Sequence, residues 1–87
     1  MYIHLGQGTV VPSREIVGIF DIESTTISKH TRSFLEKAEK NGEVVTVSYE
    51  LPKAFAVCSG KERKQKVYIT QLASSTLLKR SEFINSL

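Results

Sequence analysis

A chain of 87 residues, 40% of them hydrophobic, has the length of one small domain spanning 1–87. A fold of that size buries only about 60–65% of the surface its unfolded chain exposes, which makes self-association a natural supplement to its core. The single cysteine excludes an internal disulfide and a thiolate zinc cluster, while the net charge of +3 and the pI of about 9.2 permit nucleic-acid binding without requiring it.

The opening MYIHL alternates Tyr2 and His4 against Ile3 and Leu5, the period of a strand. It carries no basic leader and no long apolar core, and no run in the chain has the length of a membrane span, so a soluble cytoplasmic protein is expected. Gly6-Gln7-Gly8 turns the chain, and TVVP forms a second strand that Pro12 ends or confines to an edge, because proline donates no ladder hydrogen bond. GQG is no dinucleotide fingerprint, since the third glycine and the following helix are missing. After Ser13-Arg14-Glu15 comes IVGIF, short and rich in β-branched residues; it predicts a buried strand, with Gly18 marking a bulge or a close backbone approach.

The spacing of Ile27, Thr31, Phe34, Leu35 and Ala38 predicts a central helix with one apolar face, with Thr25, Thr26 or Ser28 as its N-cap. Lys29, Arg32, Glu36, Lys37, Glu39 and Lys40 fall on the opposite face, and Asn41-Gly42 ends the helix with a glycine suited to a left-handed cap. EVVTVSYE, AFAVCS and KVYITQLA then predict three strands, joined by LPK and by the charged loop SGKERKQ, most simply as two antiparallel hairpins in series. The tail from Ser74 predicts a C-terminal helix capped by Ser74 or Ser75, with Leu77, Leu78, Ser81 and Phe83 or Ile84 as its stripe. The expected class is α+β: a small antiparallel β-sheet with a central helix and a C-terminal helix.

Catalytic constellations are scarce. His4 and His30 have no second histidine or cysteine at metal spacing, so they read as ordinary imidazoles, and neither a metal nor a cofactor is expected. Asp21, the one aspartate, stands where a polar turn residue belongs, and no serine has the context of a nucleophile elbow. Cys58 lies in the apolar run AFAVC and reads as a buried small hydrophobe. The chain is therefore not expected to be an enzyme. Its cations are the better candidates: Lys61, Arg63, Lys64 and Lys66 sit within residues 59–66, whose net charge of +3 equals that of the whole chain. One such loop is a solvated tip, whereas many copies on the rim of an oligomer become a phosphate-facing surface through effective concentration.

YIHLGQGTVV followed by IVGIFD resembles the N-terminus of the extracellular matrix regulatory protein family (RemA/RemB) of Gram-positive bacteria, and LASSTLLKR, residues 72–80, resembles a segment near the end of RemB-type members. The resemblance implies a LytTR-like fold, assembly into a homo-oligomer of ring type, and binding of double-stranded DNA in the control of biofilm matrix genes. RemA-type members carry several arginines in the turn after a strand-ending tyrosine, where this chain has Tyr49-Glu50-Leu51-Pro52-Lys53-Ala54-Phe55 and keeps only Lys53 as a cation. A further RemA-type arginine falls near Arg14. The expected phosphate contacts are accordingly Arg14, Lys53, Lys61, Arg63, Lys64 and Lys66. The alternative is an oligomeric adaptor that binds protein and not DNA, using the apolar residues of the terminal helix, Leu77, Leu78, Phe83, Ile84 and Leu87.

Overall fold

The computed structural model describes residues 2–22 and 28–86, the side chains at 63 and 81–86 excepted. Thr25, Thr26, Ile27 and Leu87, and the side chains of Phe83 and Ile84, lie outside that description.

The N-terminal alternation becomes β1 (Tyr2–Gly6), which pairs antiparallel with β2 (Thr9–Pro12) as a separate hairpin. Ile3, Leu5 and Val11 are buried on its inner face, and Tyr2, His4 and Val10 are exposed on the outer one. The turn between them holds three successive residues at positive φ, Gly6, Gln7 and Gly8. Gly6, at φ 109, sits where a side chain is strained whatever the space around it. Pro12 closes β2, and a 3-10 turn, Ser13–Glu15, leads into β3 (Ile16–Asp21).

The helix α1 (Lys29–Lys40) starts where Ser28 accepts a hydrogen bond from the Thr31 amide at 3.1 Å. It ends in a Schellman pattern: the Glu43 amide donates to the Ala38 carbonyl and the Gly42 amide to that of Glu39, with Gly42 at φ 70. Of its apolar face, Ala38 is buried, while Phe34 and Leu35 pack against the core at its edge. The remaining elements are β4 (Val44–Thr46), β5 (Ala54–Ser59), a 3-10 turn at Lys61–Arg63, β6 (Gln65–Thr70) and α2 (Ser74–Ser86). α2 begins at Ser74 itself, so Ala73, not a serine, precedes its first turn, and the Ala73 carbonyl accepts from the amides of Thr76 and Leu77.

The class is α+β, with a four-stranded sheet in the order β3-β5-β6-β4. Two expectations are corrected. β4 does not form a hairpin with β5; it runs parallel to β6, from Val44 opposite Val67 to Thr46 opposite Ile69, which makes the sheet mixed. β5 and β6 carry apolar residues on both faces and take the centre, while β4 ends early and takes an edge. The 47–53 segment arches over the end of β6, tied there by hydrogen bonds from the Val47 amide to the Ile69 carbonyl and from the Lys53 amide to the Thr70 carbonyl. The second correction concerns IVGIF, which is the other edge rather than a buried strand: Val17 is 70% and Phe20 49% exposed. The register shift between Ile16 and Gly18 is the bulge that the glycine signalled.

Each face of the sheet has its own core. Phe55, Val57, Val67, Ile69 and Val44 meet Phe34, Leu35 and Ala38 of α1 on one side. On the other, Ala54, Cys58, Ile19 and Tyr68 meet the hairpin residues Ile3, Leu5 and Val11 together with Leu77 of α2. Leu78 is 47% exposed, so the stripe of α2 is narrower than its sequence implied. Two polar contacts fasten this second layer: the buried Thr70 hydroxyl donates to the Leu5 carbonyl at 2.6 Å, and the Arg80 guanidinium to the His4 carbonyl at 2.6 Å.

Candidate nucleic-acid interface

β5 and β6 pair as far as Ser59 opposite Gln65, and the residues between make a tight tip. The Gly60 amide donates to the Lys64 carbonyl at 2.9 Å, which closes the loop. The left-handed residue is Glu62, at φ 64, and not Gly60. Lys61, Lys64 and Lys66 are exposed, and the side chain of Arg63 is outside the described residues. Glu62 and Lys64 approach to 3.8 Å with both side chains more than three-quarters exposed. Such a pair is worth little in water and leaves Lys64 available to a stronger anion.

The 3-10 turn carrying Arg14 abuts this tip. Ile16 pairs with Cys58, and the Glu15 carboxylate lies 3.4 Å from where a Cβ on Gly60 would stand. Arg14 itself is exposed. A cavity of about 240 Å³ between the two turns is lined by Glu15, Cys58, Gly60, Lys61, Lys64, Lys66 and Tyr68. Cys58 is buried, and its thiol is pushed up to about 11, first by burial and then by the Glu15 charge. The same two influences, with Cys58 between them in rank, raise Tyr68. Neither group is a nucleophile near neutrality.

The structure thus brings Arg14, Lys61, Lys64 and Lys66 to one end of the sheet. Lys53 is at the other end, where its amide meets Thr70 and its carbonyl accepts from the Ile22 amide. The length of β5 separates the two places, about 17 Å at the usual rise of a strand. Arg80 is engaged with the β1 backbone, and Lys79 and Arg32 are exposed elsewhere.

Sequence reasoning missed Lys37. It lines an open groove of about 630 Å³ between the end of α1 and the start of β6, together with Lys64 and Lys66. Its position between Phe34 and Ala38, at the margin of the apolar face, was the available signal. His30 borders an apolar cavity of about 400 Å³ with Val17, Phe20, Phe34 and Phe55, and Asp21 is not part of its lining. Among the described residues no group of histidine, cysteine and carboxylate side chains has the arrangement of a metal site. No helix among them is long and apolar enough to cross a membrane.

No protein-family model matches the chain. Among curated proteins, it is 42% identical over 84 residues to the "Extracellular matrix regulatory protein B" of Bacillus subtilis (strain 168), an alignment that takes in 97% of this chain and 94% of that protein.

Proposed function

We propose, from the premise that this chain belongs to the extracellular matrix regulatory protein family and stands with its B type, that it is a non-enzymatic, cytoplasmic regulator of biofilm matrix gene expression. It acts as a homo-oligomer that binds double-stranded DNA through the cationic end of its sheet. The observation that carries the reading is the gathering of Arg14, Lys61, Lys64 and Lys66 around two adjoining turns. Arg63 belongs to the same tip by its backbone. Lys53 makes phosphate contacts only if a neighbouring copy brings its end of the sheet to the same duplex.

Contacts of this kind position a protein on DNA without reading bases, so the affinity is modest for one copy and steep in salt, with a slope of roughly −0.9 per phosphate neutralised. Self-association is supported by β3, an edge strand on which Val17 and Phe20 are exposed. A labelled duplex titrated at several salt concentrations, with mass in solution measured alongside, tests both parts. Binding that weakens steeply with salt and a mass of several chains are expected. A monomer that leaves the duplex unshifted at micromolar protein and low salt overturns the reading.

A second reading, the protein-binding adaptor, is favoured by a different observation. Tyr49 is 100% and Leu51 81% exposed on the 47–53 segment, at the end of the sheet away from the lysines. The double change Tyr49→Ala, Leu51→Ser separates the two: the adaptor loses matrix regulation in cells, whereas the DNA-binding regulator keeps its duplex affinity.

A further inference from the structure

The groove between α1 and β6 is bordered by lysines, of which Lys64 lies 3.8 Å from Glu62 in an exposed and weak pair. Lys37, Lys64 and Lys66 line it, with Asn41, Gly42, Glu43 and Gln65. Several of its acceptors are already occupied. The Lys37, Ala38 and Glu39 carbonyls at the end of α1 receive the amides of Asn41, Glu43 and Gly42, and the Glu43 carboxylate receives the Gln65 amide nitrogen at 3.1 Å. The helix end therefore repels an anion less than bare carbonyls would. Lys37 and Lys64 remain as donors beside one committed carboxylate, while Lys66, opposite Cys58 on the Tyr68 face of β6, borders the groove from the strand. The groove is open to solvent, so a phosphate on a larger molecule can reach it.

We infer that this groove is a phosphate-binding site, with Lys37 and Lys64 as its cationic lining and Lys37 as its defining residue. The inference rests on the DNA-binding reading for the source of the phosphate, which is the backbone of a duplex lying against the tip. Lys64 lines both the cavity at the tip and the groove, so a strand that touches Lys61 reaches the flank of α1 past Lys64. This adds one element, a helix, to an interface otherwise made of two turns.

Two measurements on the full chain decide it. The first titrates a labelled duplex with the wild type, Lys37→Ala and Lys29→Ala at several salt concentrations. Lys29 is also exposed on α1, about 12 Å along the axis from Lys37, and removes the same charge outside the groove. Lys37→Ala is expected to weaken binding several-fold at low salt and to flatten the salt slope by about 0.9, with the slope of Lys29→Ala unchanged. Equal slopes for Lys37→Ala and the wild type overturn the duplex as the source. The second titrates inorganic phosphate into isotope-labelled protein. Saturable shifts at the amides of Lys37, Asn41, Gly42 and Lys66, lost in Lys37→Ala, support the site. Their absence, or an equal response at every exposed lysine, overturns it. A wild type that binds no duplex but shows the localised phosphate response sinks the DNA reading while the groove stands as a site for free phosphate.

Discussion

Thr70 shows how much one hydroxyl can hold. It is 1% exposed, donates to the Leu5 carbonyl and accepts from the Leu72 amide at 3.1 Å, and so ties the hairpin to the sheet and fixes the turn that follows β6. Thr70→Val keeps the shape and leaves a buried carbonyl without its donor; a loss of about 1–3 kcal/mol in urea unfolding is expected. Cys58 makes a second test. Its thiol value lies near 11 against an ordinary 9.0, so the folded state holds the proton more tightly than the unfolded one. The stabilisation is complete below pH 9 and is lost as the pH rises towards 11. Tyr68 shifts the same way, so Cys58→Ala removes part of this alkaline loss and not all of it. At pH 8 the native thiol is expected to resist a disulfide reagent that titrates one thiol per chain after unfolding. The sequence context AFAVC announced this burial; the Glu15 carboxylate that adds to it comes from another strand connection and was invisible there.

At the scale of elements, the ends of α1 were legible because capping is a local matter. A serine oxygen one turn from an amide and a glycine that tolerates positive φ require no distant partner. Gly42→Ala is expected to cost about 1 kcal/mol, read as a lower thermal midpoint, since alanine must then adopt a left-handed backbone. The β5–β6 tip was legible as a charged turn, but its left-handed position was not, since Glu62, which occupies it, is not a residue that favours positive φ. Glu62→Asn keeps a residue that tolerates that conformation and removes an anion 3.8 Å from Lys64. Stability within about 0.5 kcal/mol of wild type and tighter duplex binding at low salt are the expected results.

For the whole molecule, the consequential feature is an exposed apolar edge. The two open edges of the four-stranded sheet are β4, which is short, and β3, which is longer and carries Val17 and Phe20. Edges of that kind are usually blunted by charge, and this one is bent by a bulge but not charged at Val17. Val17→Lys places a cation there without touching either core. The expected outcome is a fall in mass measured by light scattering, with the circular dichroism of the fold retained. Duplex affinity then falls as well, although the variant is more positive, because linked copies are lost. An unchanged mass moves the self-association surface elsewhere.

The amino-acid sequence by itself determined whatever depends on period and on single-residue backbone preference: the alternation of Tyr2 to Leu5, the apolar face around Phe34 and Ala38, the stop at Gly42 and the cations of the β5–β6 tip. Only the tertiary structure decided which strands are neighbours. That choice follows from how many apolar residues each strand must bury on both faces at once, a sum over the whole sheet that no single segment displays. It put β6 between β5 and β4, turned β3 into an edge, sent Lys53 to the end of the sheet opposite Lys61, and brought Lys37 of α1 to a groove that Lys64 also lines.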